Sequence, residues 1–191
     1  DSVCGDLQSL PFADGSFDLV FSSLALQWVN DLGAVFDEVR RVLRPGGLFV
    51  FSSFGPDTLK ELRHAWAMID DDVHVNHFID MHDVGDCLLG SSFAEPVMHA
   101  EQLVVQYRDL DLLLKDLRDI GANVTERGHR RGLMTAAVLQ QLRDQYETYR
   151  DQGVLPATYE VVYGHAWAPV ARPVQNGVAI PVGAIGRRRG P

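Results

Sequence analysis

The sequence predicts an α/β domain built around a parallel strand–helix–strand crossover. Three observations predict it. Phe17-Asp18-Leu19-Val20-Phe21-Ser22-Ser23 has a continuously apolar centre, as does Leu48-Phe49-Val50-Phe51-Ser52-Ser53-Phe54. Such runs suit strands covered on both faces, where alternation would mark a strand with one wet face. Between them Val35, Phe36, Val39, Val42 and Leu43 fall at helical spacing and make one apolar stripe. A helix joining two buried strands through short connections implies parallel pairing and a right-handed crossover.

The elements follow in order. Leu10 to Ser16 is turn chemistry around the anchor Phe12. Residues 17–23 form the first strand. Asp31 caps a helix over residues 32–43, and Pro45-Gly46-Gly47 stops it. The second strand takes residues 48–54. A helix over 58–69 carries Leu59, Leu62, Trp66 and Ile69 on one face, and a short helix covers 81–89. Residues 97–107 alternate like a strand, 110–120 form a helix ended by Gly121, and 135–150 form another. Residues 159–167, rich in β-branched and aromatic side chains, read as a late strand. Pro, Gly and Arg dominate from Ala168 onward, so 169–191 is expected to be an irregular tail, with a short pairing at Val178-Ala179-Ile180.

With 191 residues, 46% of them hydrophobic, the chain suffices for one ordinary core. A net charge of −9 argues against nucleic acid, whose phosphates call for a basic face. The basic run Arg187-Arg188-Arg189 reads as a solvated tail. Cys4 and Cys87 make neither a disulfide framework nor a zinc spacing, which fits a reducing cytoplasm. No apolar run approaches the roughly 18–20 residues that span a bilayer. The chain opens without an initiator Met on what reads as the end of a strand, and is taken as cut from a longer one.

Two strings carry a resemblance. Gly5-Asp6-Leu7, Leu10-Pro11-Phe12 and Phe17-Asp18-Leu19-Val20, followed by Arg41-Val42-Leu43-Arg44-Pro45-Gly46-Gly47, look like the middle of a class I S-adenosylmethionine-dependent methyltransferase. Ser22-Ser23-Leu24-Ala25-Leu26-Gln27-Trp28, Ser53-Phe54-Gly55-Pro56-Asp57-Thr58-Leu59, Phe78-Ile79-Asp80-Met81-His82-Asp83-Val84, Asp116-Leu117-Arg118-Asp119-Ile120-Gly121 and Thr158-Tyr159-Glu160-Val161-Val162-Tyr163 are similar, in that order, to segments of the malonyl-acyl-carrier-protein O-methyltransferases of biotin synthesis. The resemblance implies a Rossmann-like class I sheet, incomplete at its N-terminal third, with residues 1–168 forming the C-terminal portion of one methyltransferase domain. It implies methyl transfer from S-adenosylmethionine to the carboxylate of a malonyl group on acyl carrier protein. It also implies a Gly-rich loop after the first strand and a ribose-binding acid after the second, neither of which lies in this stretch. Another small acid as methyl acceptor, or a non-catalytic carrier-binding remnant, are the alternatives.

The resemblance places Asp6 and Leu7 against adenine, as acceptor and backbone donor; Ser22, Ser23 and Gln27, in the region of the strands' carboxyl ends where α/β sheets bind ligands, are further candidates for cofactor contact. A carboxylate nucleophile is already ionised near neutrality, so no general base and no catalytic triad are expected. Trp28 and Phe54, after the two central strands, either wall the cofactor or the acyl pocket, or pack in the core. Arg118 either holds the malonyl carboxylate through its planar guanidinium or pairs with Asp116 or Asp119. Arg63, Arg118, Arg127, Arg130 and Arg131 are candidates for a basic patch facing the acidic carrier. Asp18 reads as a structural hydrogen-bonding residue. His74, His77, His82, Asp83 and Asp86 match no metal spacing, and no metal is expected. Tyr159, Tyr163 and Trp167 read as core.

Overall fold

Phe17–Ser23 forms strand β1, Leu32–Val42 helix α1 and Leu43–Phe54 strand β2, with β1 and β2 parallel: the predicted crossover. The computed structural model describes residues 2–122 and 135–170. The further elements are α2 (Lys60–Ala67), α3 (Met81–Gly90), β3 (Ala94–Tyr107), α4 (Leu110–Asp119), α5 (Ala136–Glu147) and β4 (Leu155–Trp167). The strands form one mixed sheet in the order β1-β2-β4-β3, with β4 antiparallel to both neighbours.

Asp31 caps α1 as expected, its Oδ1 accepting the Ala34 N–H at 3.0 Å. The apolar stripe of α1 buries Val35, Phe36 and Val39 against Phe49 and Phe51 of β2, with Leu88 of α3 and Phe93 closing the cluster. A second cluster joins α2, α4 and α5 through Leu62, Leu113, Leu142 and Tyr146. The Tyr146 hydroxyl donates to the Pro156 carbonyl at 2.8 Å.

Pro45-Gly46-Gly47 is a bulge inside β2 and not a free turn. Asp18 alone lies opposite residues 44–47, since Phe17 pairs with Leu43 and Leu19 with Leu48. Gly46 has φ +80°, and its N–H donates to Ala168 O at 2.8 Å, so the bulge is tied to the end of β4. Asp18 pairs with Arg44 across it. Helix α2 is shorter than expected at both ends, while β3 and β4 begin earlier, at Ala94 and Leu155. The pairing expected at 178–180, the irregular tail from 171 on, and Arg127, Arg130 and Arg131 lie outside the described residues.

The two class I strings are physically one unit. The Arg41 guanidinium donates to Phe12 O (2.8 Å), Leu10 O (3.0 Å) and Asp14 Oδ1 (2.7 Å), and forks onto Glu38. Glu38 Oε2 in turn accepts the Leu10 N–H at 2.8 Å. Arg41 first, then that N–H, hold the Glu38 carboxyl down at about 2 from an ordinary 4.5. A carboxylate held down in the folded state contributes stability that is present above its unfolded value and lost as pH falls through its folded one. Stability should therefore decline as pH falls from 4.5 to about 2, and Glu38→Gln should flatten that part of the curve. Superimposable acid-unfolding curves for the two proteins would contradict this.

Strand β1 is an edge of the sheet among the described residues, paired only with β2. Leu19 is 53% and Phe21 68% exposed on it. A bare apolar edge offers unpaired backbone groups to another chain. The chain by itself is expected to self-associate with rising concentration in analytical ultracentrifugation; a single monomer boundary at high concentration would contradict this.

Candidate active site

A cavity of about 300 Å³ opens where the parallel strands β1 and β2 end. The carboxyl ends of parallel strands are where α/β sheets place ligands, because the connections leave a crevice there. Leu24, Gln27 and Trp28 follow β1 into its wall, and Phe54 at the end of β2 is joined by Thr58 and Leu59 after it. Helix α4 and the segment after α2 complete it.

Both connections are held in unusual backbone shapes. Leu24 has φ +47° and Leu59 φ +55°, left-handed conformations that cost a branched residue about 1–2 kcal/mol each. Cross-strand hydrogen bonds hold them there. The Leu24 N–H donates to Ser52 O at 3.0 Å and reaches Ser52 Oγ at 3.2 Å, and the Leu59 N–H donates to Thr158 O at 2.6 Å. Thr58 Oγ1 donates to Glu160 O and accepts the Glu160 N–H, both at 3.1 Å. The Asp57 N–H donates to Glu160 Oε2 at 2.8 Å. A Cβ on Gly55 would lie 2.6 Å from that carboxylate, so a side chain there would have to displace Glu160 from its contact with Asp57. Buried Glu61 accepts the Thr158 N–H on Oε2 at 3.0 Å and the Thr158 hydroxyl on Oε1.

The cavity wall is mostly apolar. Phe54 packs edge-on against Phe78 (5.7 Å) and lies tilted beside Tyr159 (5.8 Å). Tyr159, expected in the core, lines the cavity. Burial first, then neighbouring Tyr107, push its hydroxyl pKa well up. His74 stacks on Trp66 at 3.6 Å with an interplanar angle of 11°, its Nε2 2.8 Å from Asp70 Oδ1.

The expected site residues divide between two places. Gln27, Trp28 and Phe54 meet in the cavity. Leu7, Ser22 and Ser23 line a separate, open trough of about 460 Å³ along β1. Gln27 Nε2 donates to Leu24 O at 2.6 Å, while Gln27 Oε1 and Ser22 Oγ are buried without a partner among the described residues. Orphaned buried acceptors at the end of β1 and on the connection after it suit a polar ligand there. Asp6 is exposed, and its Oδ1 accepts the Gln8 N–H at 2.9 Å in a local turn. Arg118 is exposed on α4, whereas its neighbours Leu117 and Ile120 line the cavity. The Arg63 guanidinium is engaged, donating to Pro56 O (2.8 Å) and Thr58 O (2.9 Å). His77, His82, Asp83 and Asp86 form no metal-ligating group among the described residues; Asp70, Asp72 and His74 do bring their ligand atoms within 4.8 Å of one another.

Comparison with known proteins sets this geometry in a family. A family described as "Methyltransferase domain" matches residues 1–51. Malonyl-(acyl-carrier protein) O-methyltransferase 1 of Coxiella burnetii is 45% identical over 191 residues, which cover 97% of this chain and 67% of that protein. The chain belongs to the malonyl-(acyl-carrier protein) O-methyltransferase family. The family members of Laribacter hongkongensis and Gallionella capsiferriformans are 54% and 52% identical, over 90% and 93% of this chain. The chain spans 58% and 61% of their lengths. The fold agrees with solved structures of a candidate methyltransferase from Bacillus halodurans (TM-score 0.59, 19% identity, 89% of this chain and 78% of that one) and of the YcgJ protein of Bacillus subtilis (TM-score 0.56, 17% identity, 86% and 69%). The family's fold therefore matches the class I sheet expected from the sequence. No described helix is long and apolar enough to cross a membrane.

Proposed function

We propose that the chain is part of an enzyme that transfers a methyl group from S-adenosylmethionine to the free carboxylate of a malonyl group on acyl carrier protein, in the biotin pathway. The observation that carries the reading is the cavity at the carboxyl ends of β1 and β2, with the buried, unpartnered acceptor Gln27 Oε1 in its wall among the described residues. Membership of a family whose relatives bear that name supports it. Residues 1–168 form the portion of the domain that holds this site. The free thiols of Cys4 and Cys87 are compatible with a reducing cytoplasm.

Ser22 and Ser23 at the end of β1 and Gln27 just after it would hold the cofactor, with Asp6 and Leu7 at the adenine end. When bound, S-adenosylmethionine supplies an electrophilic methyl group. The chain's own residues bind and align. Trp28, Phe54 and Phe78 exclude water from the acyl group, which raises the effective strength of every polar contact inside. The carboxylate is ionised on arrival, so alignment of nucleophile and methyl is what the site must supply. Masking that charge as an ester lets the chain enter apolar elongation sites at far lower desolvation cost.

Arg118 is assigned to drawing the charged acyl group towards the cavity between Leu117 and Ile120. Being exposed, it is screened, so Arg118→Ala should raise KM only a few-fold, roughly 2- to 5-fold, and less at high salt. An unchanged KM would remove it from the site. The reading itself is tested by incubating the protein at its relatives' full length with methyl-labelled S-adenosylmethionine and malonyl carrier protein. Label on the malonyl but not on the unacylated carrier is expected; a folded protein that labels neither would overturn it.

A further inference from the structure

Among the described residues that line the cavity, His74 alone can carry a positive charge. Its ring is fixed from two sides, by the stack on Trp66 and by the contact of Nε2 with Asp70. Among the described residues Nδ1 makes no hydrogen bond. A histidine backed by a carboxylate usually signals a general base, yet methylation of an ionised carboxylate needs none. Of the other polar wall groups, Thr58 Oγ1 is committed to Glu160 and Gln27 Nε2 to Leu24 O. A carboxylate entering an apolar cavity without a cationic partner pays a large desolvation cost.

We propose that the Asp70–His74 pair is the charge-recognition element of the cavity, with His74 binding the substrate carboxylate through Nδ1 while Asp70 holds Nε2. This rests on the functional reading above. Nε2 faces Asp70 Oδ1 at 2.8 Å, which leaves Nδ1, on the far side of the ring, to face the substrate carboxylate. Stacking on Trp66 fixes the ring plane and so the direction of Nδ1. Methylation removes the substrate's charge and with it this contact, so the product is held less tightly than the substrate. His74 is a binding residue here and moves no proton during the reaction.

Steady-state kinetics of the full-length protein with labelled S-adenosylmethionine test this. A charge-assisted hydrogen bond lost from the site should raise the KM for malonyl carrier protein roughly 10- to 100-fold in His74→Gln, with a smaller change in kcat. Inhibition by the malonyl methyl ester carrier, which has no charge to recognise, should change less than about threefold. Asp70→Asn keeps the ring and the stack and should show the same split more weakly, about threefold to tenfold, which covers the case of a misfolded His74 variant. A KM within about twofold of wild type in both variants would overturn the proposal. So would equal weakening of acid and ester, which would mean that His74 only shapes the wall. Loss of wild-type activity on treatment with a chelator would also overturn it, by making Asp70, Asp72 and His74 ligands of a cation. A folded wild type that methylates no malonyl carrier would instead sink the functional reading, and this inference with it.

Discussion

Phe36→Ala is expected to destabilise the domain by about 3–5 kcal/mol, the largest single loss anticipated. Phe36 is fully buried on α1 and touches three other rings: Phe49 at 5.7 Å, Phe51 at 5.9 Å and Phe93 at 6.5 Å. Removing it takes away apolar area and leaves a hole that Phe49 and Phe51, pinned in the central strand, cannot collapse into. A domain of ordinary stability has about 5–15 kcal/mol in total, so the variant should melt far below the wild type or fail to fold. Urea unfolding followed by circular dichroism reads the effect. A loss below about 1 kcal/mol would mean that α1 does not anchor the sheet as described.

Glu61→Ala is expected to cost about 2–4 kcal/mol, because it strands two buried donors, the N–H and the hydroxyl of Thr158. Its effect should reach the site. Glu61 stitches the start of α2 to β4 beside Thr58 and Leu59, which wall the cavity. Weaker ligand binding should therefore accompany lower stability. Glu61→Gln keeps one acceptor and most of the shape, and should lose about half as much. Equal losses for alanine and glutamine would show that the charge, rather than the pair of accepted hydrogen bonds, is what matters. An unaffected alanine variant would show that Glu61 does not tie α2 to β4.

The contrast between these residues says what the sequence makes legible. Phe36 belongs to a helical stripe, and a stripe is local: Val35, Phe36, Val39 and Val42 declare the buried face of α1 without any partner in view. Strand β1 is equally plain, because a short, continuous apolar run between turn residues is what a strand inside an α/β sheet requires. Glu61 is different. Its partner Thr158 stands far along the chain, and nothing near position 61 announces that a carboxylate there is buried. The same holds for Leu59, helical by its spacing but left-handed in the fold because Thr158 O holds its N–H. Pro96 and Pro156 hide the first residues of β3 and β4, since proline reads as a break although sheet edges and strand ends tolerate it.

The candidate site is legible in part for the same reason. Gln27, Trp28 and Phe54 follow directly on strands whose ends the sequence marks, so their convergence is predictable from the crossover alone. Tyr159 reads as core because alternation on a strand names a face without saying what lies against it. His74 stands out in the sequence only as a metal-ligand type whose spacing fits no motif. Its pairing with Asp70 lies in irregular chain after α2, where no helical spacing announces it, and the stack on Trp66 and the approach to the cavity are tertiary. Arg118 sits one position beyond buried Leu117, a rotation that turns it to solvent.

Calorimetric titration of S-adenosylmethionine into the protein at its relatives' full length, wild type and Gln27→Ala, tests most directly whether the ends of β1 and β2 form a methyl-transfer site. Saturable one-to-one binding by the wild type, weakened roughly tenfold in the variant by loss of the Gln27 amide, is the predicted result. No heat from a folded wild type, or identical binding by both proteins, would contradict the placement of the cofactor beside this cavity.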